Sequence, residues 1–391
     1  MLDQNSSRHI LPLAGIRVTD FSTLLPGPMC SLLLVQAGAE VIKIERPGRG
    51  DEMRSYTPRF GSESVNFSLL NPGKRSVALD LKDPSARDQA VELVRTSDVL
   101  IEQFRPGVMD RLGLGYEAMR LLNPGLIYCS ITGWGQHGSL ADIAAHDLNY
   151  QAETGLLGLT VGTDGKPSLP STLTADIAGG AYPAMMNILL ALRARDADGK
   201  GCFIDVAMAD NLFTFSYWGL GNGFAAGQWP VAGGELVTGG TPRYQVYRTS
   251  DNRFLACAPL EQKFWENFLS VLCAPELLDD FKDPAGVRAK IAVIIESQTA
   301  VEWLRRFDGV DACVSLVKHM QEAAETPHFR ERGLFQENMS SLDTKTLMPV
   351  LPLPIVPAFR RLSSGDVPAL GEADAQAILR RREAGVEHPK S

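Results

Sequence analysis

Strand-like and helix-like segments alternate along the first 135 residues, and this alternation constrains the fold more than any other feature of the sequence. In segment 75–82, Val77, Leu79 and Leu81 occupy alternate positions, which is the period of two expected for a strand. Because short links join each strand to a helix and then to another strand, we predict an α/β fold with a parallel sheet covered by helices on both faces. Further strand segments lie at 15–22, 40–47, 98–104 and 125–135.

Two later segments have helical patterns. A short helix is predicted near 147–157, within a region that is otherwise typical of loops. A stronger helix is predicted over 176–196, where Asp176 stands at the start and Ile188 and Leu189 belong to an apolar face. The turn residues at 196–201 end this helix and lead into another strand.

Length and composition limit the class of protein. At 391 residues the chain is long for one hydrophobic core, so we expect two domains. A net charge of −8 argues against nucleic acid or an anionic membrane as a partner. No apolar run approaches the roughly 20 residues of a membrane span, and the polar N-terminus does not resemble a signal peptide. Six scattered cysteines without CxxC spacing are typical of buried free thiols in a reducing compartment. We therefore predict a cytoplasmic protein with no membrane partner.

A glycine-rich phosphate loop is absent where a nucleotide-binding sheet would carry it. Neither a P-loop nor a GxGxxG pattern follows the first strand. Pro26 in the first strand-to-helix link also lacks the N–H that a pyrophosphate would accept. These observations argue against a P-loop nucleotide site and against an NAD site.

Basic residues cluster in the first third of the chain, and their simplest interpretation is a solvated surface. Several of them nevertheless follow strands, at the edge of an α/β sheet where ligands bind. A ligand with several phosphates fits that placement. The cluster comprises Lys43, Arg46, Arg49, Arg54, Arg59, Lys74, Arg75, Lys82, Arg105 and Arg111.

Three residues are candidate acids or bases, and each also has a structural interpretation. His146 alone is more typical of a core or surface residue than of a base. Asp176 is a good N-cap residue for its helix, and Glu261 suits the first turn of another helix. Taken singly, none of the three indicates a function.

Several long stretches together resemble the family III CoA-transferase superfamily (CaiB/BaiF), and most closely its α-methylacyl-CoA racemases. The resemblance extends over nearly the whole chain. The stretches of this chain that resemble racemase motifs are "AHDLNY" at 145–150, "ADIAGG" at 175–180, and "GGTPRY" at 239–244 with "LE" at 260–261. The superfamily stretches are "GAEVIKIERPGRGD", "NPGKRSVALDLK", "RPGVMDRLGLGY", "ITGWGQHG" and "GKGCFIDVAM".

The resemblance implies roles for particular residues. His146 and Asp176 would be the two catalytic bases, Glu261 a polar partner in the same site, and Asp147 a positioning group. Ala145 stands where the racemases usually have glycine, and Ser139 where they often have proline. The predicted substrate and CoA contacts are Arg46, Leu79, Asp80, Leu81, Lys82, Arg105, Arg111, Ala145, Asp147, Leu148, Asn149 and Tyr150.

The chemistry implied is inversion of the carbon α to a thioester. One base removes the α-proton, an enolate forms, and the other base returns a proton to the opposite face. A backbone N–H near Asp147 or at the start of the Asp176 helix is expected to stabilise the enolate oxygen. No metal or separate cofactor is expected, since coenzyme A is part of the acyl-CoA substrate.

Two other functions remain open at this level. In a CoA-transferase, Asp176 would attack a donor acyl-CoA, and CoA would pass to an acceptor carboxylate. A CoA-binding protein with a decayed site is disfavoured, because His146, Asp176 and Glu261 are all present.

The same resemblance implies a domain arrangement. A Rossmann-like large α/β domain would comprise residues 1–196 and 335–391, and a smaller α+β domain residues 243–334. Residues 197–242 would be a linker. Two chains would interlock into a homodimer whose sites lie between one subunit's large domain and the other's small domain, so that Glu261 could serve the partner's site.

Overall fold

The computed structural model describes residues 10–162 and 164–383. It divides the chain into two compact units, each built from separate stretches of sequence. The first unit comprises Met1–Thr154, Ser171–Phe215 and Gly333–Ser391 within the described ranges, and the second comprises Gly155–Pro170 and Ser216–Arg332.

The described residues form thirteen strands. Six of them make one parallel sheet in the order β5-β2-β1-β6-β7-β8, which confirms the predicted α/β fold with a parallel sheet. The strands are β1 (Arg17–Asp20), β2 (Glu40–Glu45), β3 (Arg59–Phe60), β4 (Glu63–Ser64), β5 (Arg75–Ala78), β6 (Val99–Glu102), β7 (Ile127–Thr132), β8 (Cys202–Ala207), β9 (Gln245–Arg248), β10 (Phe254–Cys257), β11 (Val314–Leu316), β12 (Asn338–Ser340) and β13 (Leu347–Pro349).

The strand order is that of a Rossmann-type sheet. Counted along the chain, the six strands lie in the order 3-2-1-4-5-6, and the direction of the connections reverses between β1 and β6. Every residue of β1, β6 and β7 is buried, because helices cover both faces of a parallel sheet. The carboxyl ends of β1 and β6 therefore border the crevice in which such folds bind ligands.

Sixteen α-helices accompany the strands in the described ranges. In the first unit α3 packs against α5 and α16, while α1 packs against α8. The helices are α1 (Pro26–Gln36), α2 (Val65–Leu70), α3 (Pro84–Arg95), α4 (Val108–Arg111), α5 (Tyr116–Leu122), α6 (Asp147–Glu153), α7 (Leu156–Leu159), α8 (Tyr182–Asp198), α9 (Met208–Leu212), α10 (Tyr217–Ala226), α11 (Gln262–Leu272), α12 (Pro284–Glu296), α13 (Ala300–Phe307), α14 (Met320–Ala324), α15 (Pro327–Glu331) and α16 (Ala375–Glu383).

Short segments of other helix types accompany the α-helices in the described ranges. A π-helical segment, Ala175–Ala181, directly precedes α8, and Gly199 in the left-handed conformation ends that helix. Short 3₁₀ segments lie at Glu52–Ser55, Phe213–Ser216, Pro275–Leu277 and Pro357–Phe359.

The second unit has its own core. The antiparallel sheet β11-β10-β9 packs with helices around Trp265, Phe268 and Trp303, which are almost fully buried. Stacked aromatic rings, Trp265 on Phe268 at 5.6 Å and Phe268 on Phe307 at 5.7 Å between centroids, fill its centre. A turn at Asp251 and Asn252 joins β9 and β10.

The unit boundaries differ from the predicted ones. Residues 197–242 are not a linker, because β8 pairs with β7 in the main sheet and α10 belongs to the second unit. Residues 155–170 also belong to the second unit rather than to the first. Both differences arise from pairing and packing between residues that are distant in sequence.

One helical segment corrects the expectation that no apolar run is long enough for a membrane span. Because the π-helical segment continues directly into α8, Ala175–Asp198 is a helix of 24 residues, long and apolar enough to cross a membrane by length and composition alone. Core helices of soluble proteins also meet these two criteria, so one such helix is weak evidence for a membrane span. Within it Ile188 is fully buried, whereas Leu189, predicted to share its face, is 41% exposed. The cytoplasmic location stays a prediction.

The six cysteines are free, but they are not all buried as expected. Cys30, Cys129 and Cys257 are buried within the cores, whereas Cys273 and Cys313 are exposed. The last two lie in loops with positive φ, which apolar neighbours in the sequence do not predict.

Candidate active site

A cleft of about 360 Å³ lies at the carboxyl ends of β1, β6 and β7 in the first unit. Its position is the crevice where the strand order reverses, as expected for ligand binding in this type of sheet. His146 and Asp176 both line it. The lining residues are Leu24, Pro26, Gln103, Phe104, Arg105, Pro106, Ile131, Thr132, Gly133, Trp134, Ala141, Ile143, Ala144, Ala145, His146, Asn149, Tyr150, Asp176 and Met208.

His146 is the N-cap residue of α6. Its extended backbone turns the chain into the helix, and its backbone N–H donates to Asn149 Oδ1 at 3.0 Å. The residue is exposed, so its imidazole is open to solvent as well as to the cleft. The helix start therefore fixes the backbone of His146 while its side chain stays accessible.

Asp176 lies on the π-helical segment rather than at an N-cap, which corrects the structural interpretation of this residue. π-helical turns leave part of the helical hydrogen-bond ladder unsatisfied and are frequent at functional sites. Asn211 of α9 donates through Nδ2 to the carbonyl of Gly179 at 2.7 Å. A Cβ at Gly179 would lie 2.6 Å from the carbonyl oxygen of Met208. The glycine thus permits the close approach of α9 that holds the segment bearing Asp176.

Asp147 connects the two halves of the site. Its Oδ1 accepts the backbone N–H of Ala175 at 2.6 Å and that of Asp176 at 3.1 Å. Its Oδ2 accepts Gln151 Nε2 at 2.6 Å, and the residue is buried. With both oxygens occupied, the Asp147 carboxylate positions the start of the π-helical segment relative to α6, the helix that follows His146.

Burial and charge raise the pKa of Asp176 to about 6. Burial of the carboxyl is the larger cause, and the negative charge of Asp147 adds to it. His146 acts in the opposite direction by favouring the charged carboxylate. Asp176 therefore changes protonation near neutral pH, as a group that alternates between acid and base must.

Tyr150 supports the residue before His146. Its hydroxyl donates to the carbonyl of Ala145 at 2.9 Å, and its ring meets Trp134 edge-to-face at 4.9 Å between centroids. A Cβ at Gly133 would lie 2.3 Å from the Tyr150 ring, so only glycine fits there. Ala145 has no positive φ, and the alanine that replaces the usual glycine causes no backbone strain.

The first strand-to-helix link contributes Leu24, which has a φ of 61°. A left-handed leucine is costly, and buried charges hold the link in place. Asp51 accepts the Leu24 N–H at 3.1 Å, and Lys43, paired with Asp51 at 2.9 Å, donates to the carbonyl of Ser22 at 2.7 Å. This buried network shapes one wall of the cleft.

Part of the basic cluster has a structural role. These residues belong neither to a solvated surface nor to a binding site for phosphates, the two interpretations that the sequence allowed. Lys43, Arg54 and Lys74 are buried, and Arg54 pairs with Glu45 at 2.8 Å. Each lies within ion-pair distance of a carboxylate from another part of the chain, so these side chains are not available to a ligand. Of the basic residues expected to contact CoA, Arg105 lines the cleft.

The other predicted CoA contacts are distributed along the same edge of the sheet. Ala145, Asn149 and Tyr150 line the cleft with Arg105, whereas Leu79 is buried in the core. Leu79 cannot therefore present its side chain to a ligand, although its backbone follows β5. Asp147, also predicted as a contact, is buried and both of its carboxylate oxygens are occupied. The remaining predicted contacts are Arg46, Asp80, Lys82, Arg111 and Leu148, which are exposed, and Leu81, which is half-buried.

Glu261 belongs to the second unit, where it is the exposed N-cap residue of α11 rather than part of its first turn. Arg243 of the "GGTPRY" stretch donates to the carbonyl of Leu260 and to Gln262 Oε1, each at 3.2 Å. It also pairs with buried Asp280 at 2.6 Å. Arg243 thus joins the two parts of that motif by holding the residues on either side of Glu261.

Residues 13–374 match the sequence profile of CoA-transferase family III, which is nearly the whole chain. The chain belongs to CoA-transferase family III. The resemblance noted from the sequence motifs is thereby confirmed.

Members of CoA-transferase family III similar to this chain carry two kinds of name. An alpha-methylacyl-CoA racemase from Homo sapiens is 35% identical over 361 residues, covering 90% of each chain. An acetyl-CoA:oxalate CoA-transferase from Acetobacter aceti is 36% identical over 333 residues, covering 83% of this chain and 85% of that protein. The crystal structure of a CAIB/BAIF family protein from Brucella suis has a TM-score of 0.80 at 28% identity, covering 96% of this chain and all of that one.

Sequence reasoning missed several groups that shape this family III site. Gln151, Asn211 and Thr132 each lie in or directly behind the cleft. For Asn211 the glycine pair at 179–180 was an available signal, because two adjacent glycines in a helix indicate close packing of another backbone. Nothing in the local sequence distinguishes Gln151 or Thr132.

Proposed function

We propose that this protein is an acyl-CoA racemase or epimerase that inverts the carbon α to a thioester carbonyl. The observation that carries the proposal is the placement of a histidine and an aspartate, His146 and Asp176, on the wall of one cleft. The similarity to a human alpha-methylacyl-CoA racemase supports it. A 2-methylacyl-CoA thioester is the proposed substrate.

The reaction needs two groups that exchange protons on opposite faces of the α-carbon. One of His146 and Asp176 removes the α-proton, and the C–H electron pair delocalises onto the thioester oxygen as an enolate. The other, protonated, group donates to the opposite face, and the carbonyl re-forms. Each residue ends in the protonation state in which the other began, so the reverse reaction uses the same pair. Coenzyme A enters as part of the substrate, and the proposal requires no separate cofactor.

The electrostatics of Asp176 suit this exchange. Since its pKa is raised to about 6, its carboxyl can both gain and lose a proton within the physiological range. The backbone donors at the start of its helical segment do not serve the enolate as expected, because the Ala175 and Asp176 N–H groups already donate to Asp147. The first-turn N–H of Asp147 is still a suitable donor, since a helix offers it no intrahelical acceptor.

The CoA portion of the substrate is proposed to lie along the carboxyl edge of the sheet. Arg105 lines the cleft, and exposed Arg46 and Lys82 follow β2 and β5 on the same edge. These cations would bind the phosphates of CoA. We also propose the interlocked homodimer, in which Glu261 would contribute to a site as a polar partner.

CoA transfer is the alternative proposal. In that reaction the Asp176 carboxylate attacks the donor thioester carbonyl, and CoA thiolate leaves behind a mixed anhydride. The thiolate attacks the aspartyl carbonyl of this anhydride, which releases the donor acid and forms an Asp176–CoA thioester. The acceptor carboxylate attacks that thioester to form a second mixed anhydride, and the expelled thiolate attacks its acceptor acyl carbonyl, which gives the new acyl-CoA and frees Asp176. Half-buried Asp176 and the similarity to an acetyl-CoA:oxalate CoA-transferase support this reaction. His146 has no necessary part in it.

Deuterium exchange distinguishes the two reactions. The protein is incubated in D₂O with each enantiomer of several 2-methylacyl-CoA thioesters and with no acceptor acid. We expect deuterium at the α-carbon and mixed stereochemistry in the product, and the double variant His146→Ala/Asp176→Asn serves as the inactive control. Absence of exchange, together with CoA transfer to an added carboxylate and trapping of an activated aspartate by hydroxylamine, would establish the transferase instead.

A further inference from the structure

Thr132 is a buried polar residue in the cleft for which the fold provides no partner. It is the last residue of β7, it is 8% exposed, and it lines the cleft with His146 and Asp176. Its Oγ1 is buried and makes no hydrogen bond within the described part of the chain. Buried hydroxyl groups are normally hydrogen-bonded, so an unpaired hydroxyl at this position is exceptional.

Neighbouring polar groups on the same edge are satisfied by the protein. Ser130, two residues earlier on β7, bonds to Gln136 Nε2 at 2.9 Å. Ser22 after β1 donates to Asp20, and the carboxylate of Asp147 accepts three donors. Thr132 differs from them because it lines the cleft while its hydroxyl has no such partner among the described residues.

The substrate brings an acceptor to this part of the cleft. If His146 and Asp176 act on the α-carbon, the thioester carbonyl is one bond away from the reacting atom. Two backbone donors close to Asp176, the N–H groups of Ala175 and Asp176, are already used by Asp147. A threonine hydroxyl can rotate about its C–O bond to donate to an oxygen that binds within reach of it.

We infer that the Thr132 hydroxyl donates a hydrogen bond to the thioester carbonyl oxygen of the acyl-CoA, and to the enolate oxygen that forms from it. This inference rests on the proposed racemase function. The bond strengthens as negative charge develops on the oxygen, so Thr132 contributes more to the transition state than to the ground state. The desolvated hydroxyl is then a feature of the unliganded site that substrate binding relieves.

Two pairs of variants isolate the hydroxyl from the shape of the side chain. Thr132→Val keeps the volume and removes the hydroxyl, while Thr132→Ala and Thr132→Ser differ from each other only in the hydroxyl. Each variant is assayed for α-deuterium exchange, for its affinity for free CoA by calorimetry, and for thermal unfolding without ligand. Free CoA has no thioester carbonyl, so its affinity reports the rest of the binding site.

We expect Thr132→Val to lower kcat for exchange about 10²–10³-fold, the size of effect found when one oxyanion donor is removed. Its unfolding temperature without ligand should not fall, and its affinity for free CoA should be unchanged. Thr132→Ser should exchange faster than Thr132→Ala, which keeps the comparison informative if valine disturbs folding.

Three results would overturn the inference. Wild-type exchange by both Thr132→Val and Thr132→Ala would remove any role of the hydroxyl. A parallel loss of free CoA affinity would place the contact on the CoA portion rather than on the carbonyl. A wild-type protein without α-exchange would refute the proposed function and this inference with it, whereas the first two results leave the proposed function intact.

Discussion

The carboxylate of Asp147 accepts the backbone N–H of Asp176 across 3.1 Å. Because Asp147 directly follows His146 in the chain, this bond ties together the backbones that carry the two proposed bases. The same carboxylate also contributes to the raised pKa of Asp176 through its negative charge. Asp147 therefore acts on the position of both groups and on the proton affinity of one.

The Asp147→Asn variant should move the acidic limb of the pH–rate profile. For the enantiomer whose α-proton Asp176 removes, that limb is expected near pH 6 in the wild-type protein, because protonated Asp176 cannot act as the base. Asparagine still accepts the two backbone N–H groups but lacks the charge, so the pKa of Asp176 falls. Burial is the larger cause of the shift and remains, so the limb should move only part of the way towards acid pH. The measurement is kcat/KM for deuterium exchange between pH 4 and 9, and an unmoved limb would contradict the assignment.

Asp176 should also make the fold less stable at neutral pH than an uncharged residue would. Its pKa is raised from 3.8 to about 6 on folding, so its contribution to stability is fully present below about pH 4 and is lost as the pH rises through 6. The Asp176→Asn variant should therefore exceed the wild type in free energy of unfolding at pH 8, and the difference should shrink towards pH 4. Denaturant unfolding at several pH values tests this, with Asp88→Asn at an exposed position of α3 as the control. A difference in free energy of unfolding between the variant and the wild type that stays constant with pH would contradict the raised pKa of Asp176.

The contact of Gly179 with α9 should tolerate no side chain. Gly179→Ala places a Cβ 2.6 Å from the carbonyl oxygen of Met208, a backbone atom that cannot turn away. We expect a loss of about 1–3 kcal/mol in the free energy of unfolding, together with reduced exchange activity as the segment bearing Asp176 shifts. Gly158→Ala is the matched control, because nothing lies within 4 Å of its added Cβ. Equal effects of the two substitutions would show that the close approach does not matter.

Removal of Arg243 should destabilise the second unit strongly. The Arg243→Leu variant leaves the carboxylate of Asp280, 1% exposed, without its cation, and breaking a buried pair in this way costs about 3–5 kcal/mol. The exposed pair of Arg305 with Glu302 provides the comparison, and Arg305→Leu should change stability by about 1 kcal/mol or less. Urea unfolding followed by tryptophan fluorescence measures both, since Trp265 and Trp303 lie in this core. Similar midpoints for the two variants would contradict the structural role of Arg243.

The sheet was predictable from the sequence because its signals are local. Val77 in β5 and Leu79 directly after it show the alternating pattern within a few residues, and short links leave little choice of connection. The crevice followed from the same pattern, since Arg105 was expected at the end of a strand. Pairing of β8 with β7 brings together residues about 75 apart, and no local pattern shows it.

The finer structure of the site depends on contacts between distant residues. The sequence pattern places Lys43 among the candidate phosphate-binding cations, because its partner Asp51 is indistinguishable in sequence from a surface acid. Both side chains are fully buried in the folded chain. The π-helical turn at Asp176 likewise depends on α9, which lies about 30 residues further along. The roles of His146, Asp176 and Glu261 came from the family motifs and stay predictions.

The central claim is tested most directly by α-deuterium exchange from each enantiomer of one 2-methylacyl-CoA in the His146→Ala and Asp176→Asn variants. With two bases on opposite faces, each variant should lose exchange mainly from one enantiomer, and the two losses should fall on opposite enantiomers. His137→Ala, an exposed histidine outside the cleft, should exchange both at wild-type rates. Wild-type exchange of both enantiomers by His146→Ala would contradict the account.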